Sequence, residues 1–143
     1  VKRLFEFEIP EIYDGTVEVR SISRIAGARS KIAVFSKDKN VDAVGACIGP
    51  KRSRITKIVE ELRGEKIDII SFSEKDEEYI ANALAPAEVI SVSLLEGEIK
   101  ACTAVVPNNQ LSLAIGNKGQ NAKLAAQLTG YKIDIVPEIP VNQ

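Results

Sequence analysis

The sequence predicts an α+β protein in which one small unit of helices and strands occurs twice. The stretch CIGPKRSRITKIVEELRGEKIDII, beginning at Cys47, can be laid over AIGNKGQNAKLAAQLTGYKIDIV, beginning at Ala114, with a gap of one residue. Upstream of each stretch, a proline is followed by two alternating runs with a glycine between them, which is the pattern of a two-stranded hairpin. A chain of 143 residues is long enough for two small domains, and the repeat favours that division.

Each copy is expected to follow the order helix, strand, strand, helix, helix, strand, or αββααβ. The hairpin strands are TVEVRSISRI and SKIAVFS in the first copy, and EVISVSLL and EIKACTAVV in the second. Apolar residues then recur at steps of three and four until Gly64 and Gly130, where a glycine ends each amphipathic helix. The segments KIDII and KIDIV supply the last strands. We therefore predict two three-stranded sheets, each packed on helices.

The prediction of the first helix rests on different evidence in the two copies. In the second copy, the spacing fits one helical face for Tyr79, Ile80, Ala83 and Leu84. In the first copy, residues 4–9 fit a strand by alternation and a helix by analogy with the second copy. We expect domains at residues 1–72 and 73–143, with the first helix of the first domain truncated. Because the chain has no methionine, we expect it to be a fragment of a longer protein.

The composition argues against catalysis and against a bound metal. There is no histidine, the residue used most often as a general base and as a zinc ligand. No phosphate loop of the form G-x-x-x-x-G-K-[ST] occurs. Asp68 and Asp134 stand at equivalent positions in the two copies, which favours a structural role because a catalytic residue seldom needs duplicating. We expect no enzyme activity, no cofactor and no metal.

The same composition indicates a compartment. Cys47 and Cys102 lie among apolar residues, so we expect both thiols to be buried and reduced. No secretory signal is present, and no apolar run reaches the roughly 18 residues that span a bilayer. The sequence predicts a monomeric cytoplasmic fragment that does not bind membranes.

Positive charge is concentrated in two places, although the net charge is −1. Residues 45–57 contain four cations and no acid, and residues 107–132 contain three cations and no acid. These cations are Lys51, Arg52, Arg54, Lys57, Lys118, Lys123 and Lys132. A polyanion responds to the local field more than to net charge. Solvated helix faces are the simpler interpretation of such runs.

Each basic window contains a glycine turn between two predicted helices. The turns are Gly49-Pro50-Lys51-Arg52 and Gly116-Asn117-Lys118-Gly119. Glycine permits a positive φ and a close approach of another backbone. The helix that follows begins with unpaired amides and the positive end of its dipole, which favours an anion such as phosphate. The cation in the turn adds attraction without reading base identity.

Several longer strings carry a family resemblance. VGACIG, GEKIDII, ANALAPA and VVPNNQLSLAIGNKGQNAKLAAQLTGYKIDI resemble the paired KH domains of the NusA family of bacterial transcription factors. The resemblance implies two tandem type II KH domains, whose GxxG loops clamp the backbone of single-stranded RNA. It also implies a role in transcription pausing, termination and antitermination, with RNA polymerase as a partner of the full-length factor. One continuous RNA track over both domains is the arrangement we expect.

The resemblance and the charge pattern together define the candidate RNA-binding residues. In the first copy these are Ile48, Gly49, Pro50, Lys51, Arg52, Arg54, Ile55 and Lys57. In the second copy they are Ile115, Gly116, Asn117, Lys118, Gly119, Gln120, Asn121, Ala122 and Lys123. Arg52 departs from the family pattern, which has glycine there. We hypothesise that the second turn makes the tighter backbone clamp and that the first contributes more long-range charge.

Two other interpretations remain open from the sequence. IGPKRSRITKIVEEL by itself also fits a helix-hairpin-helix module that grips duplex DNA through backbone amides. The strands on either side of each helical pair argue against that module. A KH-containing ribosomal protein or GTPase would share the fold. Aromatic residues make up only 5% of the chain, which disfavours a base-stacking platform.

Overall fold

The computed structural model describes residues 1–140, and the chain divides into two compact units, Val1–Phe72 and Ser73–Gln143. The first unit contains α1 (Lys2–Glu8), α2 (Pro10–Tyr13), β1 (Val17–Ile25), β2 (Arg29–Ser36), α3 (Ala43–Ile48), α4 (Ser53–Glu61) and β3 (Lys66–Ser71). The second contains α5 (Asp76–Ala83), β4 (Ser91–Leu95), β5 (Ala101–Val106), α6 (Leu111–Ile115), α7 (Gln120–Thr129) and β6 (Lys132–Pro137). The predicted α+β class with two three-stranded sheets is confirmed.

The two sheets have the same topology. In each, the first two strands form an antiparallel hairpin and the third strand pairs in parallel with the second. A parallel pair needs a crossover connection, which α3 and α4 provide in the first unit and α6 and α7 in the second. The two helices of each crossover are joined by the glycine turn, so the topology places that turn at one end of a helical pair.

Alternate sheet residues and the helices form the core of the first unit. Ile32 and Val34 of β2 are fully buried, together with Cys47 of α3 and Ile58 of α4. In the second unit, Val106 of β5 packs with buried Ala87 and Ala114. Burial of this apolar surface is the main favourable term for each fold.

The first eight residues settle the ambiguity at the start of the chain, because α1 is a helix. Phe5 and Ile9, four residues apart, are completely buried, whereas Phe7 points outward and is 84% exposed. Ile9 is extended at φ −120°, as expected of a residue that precedes proline. Pro10 then opens α2, a single turn that the repeat did not predict.

The second hairpin is shorter than the sequence predicts. β4 begins at Ser91 and β5 at Ala101, whereas the alternating runs indicated strands from Glu88 and Glu98. Leu95 pairs with Ala101, so residues 96–100 form an exposed connection. Alternation alone does not reveal where cross-strand pairing stops.

A buried carboxylate joins the hairpin of the first unit to its last strand. Glu65 is fully buried, and its Oε1 accepts from Arg24 Nη2 at 2.9 Å and from the Gly27 amide at 2.9 Å. The Ser30 hydroxyl donates to Oε2. Burial raises the pKa of Glu65, but these donors outweigh it and hold the pKa below its ordinary 4.5.

The second unit uses different chemistry at the same position. Tyr131 follows Gly130 as Glu65 follows Gly64, and its hydroxyl donates to Asp76 Oδ2 at 2.5 Å. That hydrogen bond raises the pKa of Tyr131 to about 12. Lys100 lies 5.8 Å from the centre of the tyrosine ring. Tyr131, which precedes the last strand, thus contacts α5 through its hydroxyl and the hairpin connection through Lys100.

Asp68 also serves the sheet of the first unit. Its carboxylate accepts from Arg29 Nε at 2.7 Å and from the buried Lys31 ammonium at 2.9 Å. Burial lowers the pKa of Lys31, and Asp68 opposes that shift. The structural role that repetition predicted for this aspartate therefore has a partner on the neighbouring strand.

Both cysteines are free thiols in the interior, as predicted. Burial raises the pKa of Cys47 to about 12 and also raises the pKa of Cys102. Within the described residues, the longest helix, α7 with ten residues, is too short to cross a bilayer.

Replacing Glu65 with glutamine should lower the free energy of unfolding by about 2 kcal/mol at pH 7, because charge-assisted hydrogen bonds to Arg24 are lost. The folded-state pKa is below 4.5, so this contribution is complete above that pH and disappears as pH falls through the folded value. Urea unfolding from pH 7 to pH 3 measures it. Glu60→Gln, on the exposed face of α4, is the control; a constant difference across pH would contradict the prediction.

Candidate nucleic-acid interface

The two glycine turns have the same backbone conformation. Gly49 has φ 78° and ψ 168°, and Gly116 has φ 83° and ψ 170°, a region that is almost restricted to glycine. Each glycine ends the first helix of its pair. The chain reverses here because the next residues take left-handed conformations.

Those left-handed residues match between the turns despite different side chains. Lys51 (φ 52°, ψ 32°) and Lys118 (φ 55°, ψ 26°) occupy the third position. Arg52 (φ 61°, ψ 24°) and Gly119 (φ 71°, ψ 12°) occupy the fourth. The fourth-residue amide donates to the first glycine's carbonyl at 3.1 Å in both turns. Arg52 therefore has the same left-handed backbone as Gly119, although it carries a Cβ.

The first glycine is required because another side chain crosses it. A Cβ at Gly49 would lie 2.7 Å from Cγ of Arg54, and a Cβ at Gly116 would lie 2.7 Å from both Cβ and the amide nitrogen of Asn121. Gly119 has open space around its missing Cβ. Steric crowding thus distinguishes the two glycines of the second turn.

The crossing side chain holds the end of the preceding helix. Arg54 Nη1 donates to the Ala46 carbonyl at 2.8 Å, and Asn121 Nδ2 donates to the Ala114 carbonyl at 2.8 Å. Such bonds satisfy carbonyls that a helix leaves unpaired at its C-terminus. Residue 54 and residue 121 stand five positions after their glycines, so the two turns share this capping device.

Two predicted contact residues are interior and need correction. Asn121 is 1% exposed, and its Nδ2 is committed to Ala114 and to the Leu84 carbonyl at 3.0 Å. Its buried Oδ1 receives no hydrogen bond from residues 1–140. Ile55 is 2% exposed and belongs to the core of the first unit. Neither side chain is available to line an RNA groove.

The other predicted residues lie on or near the surface around the turns. Exposed positions are Pro50, Lys51, Arg52, Lys57, Asn117, Lys118, Lys123 and Ile115. Partly exposed positions are Ile48, Gly49, Arg54, Gly116, Gly119, Gln120 and Ala122. Ile115 is 39% exposed and contributes aliphatic surface beside the second turn.

The turns combine features that suit a phosphate. α4 and α7 begin directly after them, and neither helix has a side-chain cap at its N-terminus. The first amide of each helix donates within the turn, from Ser53 to the Pro50 carbonyl and from Gln120 to the Asn117 carbonyl. The amides that follow have no side-chain cap and lie at the positive end of the helix dipole, which favours an anion. Lys51 and Lys118 add a positive charge in the middle of each turn. Among residues 1–140, no three Cys, Asp or Glu side chains converge as metal ligands.

Glu11 lies at the first turn, although no sequence pattern predicted it there. This residue of α2 accepts from Arg54 Nη1 at 2.9 Å, beside the first turn. The two residues are 43 positions apart, and no local pattern joins them. Glu11 and Arg54 come together only because α1 and α2 pack against the crossover helices.

Comparison with known proteins matches both units. Residues 1–72 match the family described as NusA-like first KH domain, and residues 76–143 match the NusA-like second KH domain. The chain belongs to the NusA-like KH domain family.

Similar proteins include the transcription termination/antitermination protein NusA of three bacteria. The chain is 60% identical over 138 residues to that of Halalkalibacterium halodurans, covering 96% of this chain and 36% of the relative. It is 59% identical over 143 residues to that of Bacillus subtilis, covering 100% and 38%. For Thermus thermophilus the identity is 49% over 133 residues, covering 93% and 34%. The chain thus spans little more than a third of these relatives.

A solved structure shares the fold. The crystal structure of APE1850 superposes with a TM-score of 0.65 at 22% sequence identity, covering 94% of this chain and 96% of that chain. At this level of identity, the likeness concerns the fold alone.

Gly116→Ala should lower the free energy of unfolding by about 3 kcal/mol, because alanine meets both a glycine-only backbone region and the Asn121 amide. Gly119→Ala should lower the free energy of unfolding by only about 1 kcal/mol, since residue 119 has a left-handed backbone but open space around its missing Cβ. Chemical denaturation of both variants measures the difference. Equal costs would show that steric crowding at Gly116 is not the constraint.

Arg52→Gly should raise the free energy of unfolding by about 1 kcal/mol, because it removes a left-handed conformation from a residue with a Cβ. Arg3→Gly, within α1, is the control. It should lower the free energy of unfolding, because glycine is unfavourable inside a helix. A loss of stability for Arg52→Gly would mean that the arginine side chain makes compensating contacts.

Proposed function

We propose that this chain binds single-stranded RNA through its two glycine turns. The observation that carries the proposal is the shared turn geometry, in which a left-handed lysine at the third position precedes a helix N-terminus without a side-chain cap in both units. KH domains bind about four nucleotides of backbone at such loops. The interface consists of the exposed and partly exposed residues of both turns, without Asn121 and Ile55.

The two turns contribute differently in this proposal. The second, with Gly119 in its fourth position, admits close approach of a backbone because nothing lies within 4 Å of its missing Cβ. The first carries the longer Arg52 side chain at the same point. We assign backbone clamping chiefly to the second turn and long-range attraction chiefly to the first.

The family suggests the setting in which RNA is bound. As part of a longer cytoplasmic factor, the module would hold nascent RNA while other regions contact RNA polymerase, and so influence pausing, termination and antitermination. It is proposed to act by binding and not by catalysis, as a monomer, with residues 1–72 and 73–143 as its two domains.

A helix-hairpin-helix function on duplex DNA has weaker support. Its turn would look similar, but each helical pair here belongs to a unit with a three-stranded sheet. An unstructured oligouridylate and a duplex DNA of equal length distinguish the two functions. Preference for the duplex would favour the alternative.

Lys51→Ala and Lys118→Ala should each weaken oligouridylate binding by roughly three- to tenfold and reduce the magnitude of the salt slope by about 0.7, the value for one phosphate contact on a single strand. Fluorescence anisotropy at several salt concentrations gives both quantities. Lys37→Ala, an exposed change at the end of the β2 hairpin strand, is the control. Unchanged affinity in both turn variants would refute the proposed interface.

A further inference from the structure

Arg54 lies beside the first turn with its guanidinium held through a single nitrogen. Nη1 donates to the Ala46 carbonyl at 2.8 Å and to Glu11 Oε1 at 2.9 Å. Both hydrogens of Nη1 are used by these two acceptors. Within the part of the chain that the structure describes, Nε and Nη2 donate to no protein acceptor.

The geometry leaves one binding edge of the guanidinium intact. Nε and Nη2 form a planar side-on fork that matches two oxygens of a phosphate. Fixing Nη1 orients that fork in advance, so less side-chain freedom is lost when an anion binds. The side chain is 27% exposed, which is a partly dehydrated environment for a charge-assisted hydrogen bond.

The Arg54 side chain that carries this fork packs against the first turn. The Arg54 stem crosses Gly49 so closely that a Cβ there would lie 2.7 Å from Cγ. In the second unit the corresponding side chain is the buried, uncharged Asn121. The first turn therefore has a fixed cation that the second lacks.

We propose that Arg54 binds a backbone phosphate of RNA side-on, and that Glu11 is the positioning residue that orients it. This inference rests on the proposed RNA-binding function. The Glu11 carboxylate also repels RNA through its own charge. Positioning and repulsion predict opposite effects when Glu11 is removed, so the sign of the effect decides between them.

The test measures oligouridylate binding by the intact chain. Glu11→Ala should weaken binding about fivefold, whereas Glu8→Ala, a matched loss of one acid from the neighbouring helix, should leave it unchanged or slightly tighter. In an Arg54→Ala background, Glu11→Ala should have no further effect. Arg54→Lys keeps the charge but loses the fork, so it should weaken binding with little change in salt slope.

Conservative replacement separates positioning from folding. Glu11→Gln keeps an acceptor oxygen for Nη1 and should retain affinity within about twofold, while urea unfolding shows whether each variant is folded. Tightening by Glu11→Ala beyond Glu8→Ala would mean that Glu11 masks Arg54, and would overturn the proposal. Equal weakening with and without Arg54 would also overturn it. Absence of binding by the unaltered chain would instead refute the proposed function.

Discussion

The missing Cβ at the first glycine of each turn is the constraint on which both candidate sites depend. Because Gly49 and Gly116 leave that space empty, the side chain five positions later can cross the turn and cap the preceding helix. The cap and the left-handed residues together fix where the next helix starts. Its amides and the lysine beside them are then presented in the same way in both units, so one backbone requirement sets the shape of two surfaces.

The two units share that turn, whereas the contacts around it differ. Glu65 and Tyr131 occupy equivalent positions, yet one is a buried carboxylate tied to Arg24 and the other a tyrosine tied to Asp76. Arg54 and Asn121 differ in a similar way, since one is a cation in an ion pair and the other is a buried amide. In both units a side chain crosses the first glycine and caps the preceding helix, but the two side chains differ in charge. The two turns can therefore contribute differently to one function.

Much of the fold could be predicted from the sequence because its signals are local or repeated. The glycines that end helices, the hairpin strands with alternating apolar residues and the KIDI strands each follow from short-range patterns that occur twice. The side chains of the site were harder to place. Asn121 follows a polar turn and gives no local sign of burial; its partner Leu84 is 37 positions away. The Glu11 contact with Arg54 likewise depends on tertiary packing, and the starts of β4 and β5 depend on which residues find a partner across the hairpin.

The interior position of both thiols has a practical consequence for mapping this molecule. Cys47 and Cys102 are buried, and burial raises the pKa of each, so little thiolate forms at neutral pH and reagents have poor access to it. A cysteine introduced at an exposed place such as Asn117 would therefore react selectively with a maleimide probe. Fluorescent or photoreactive labels could be attached at chosen points without first removing the native sulfur atoms from the core.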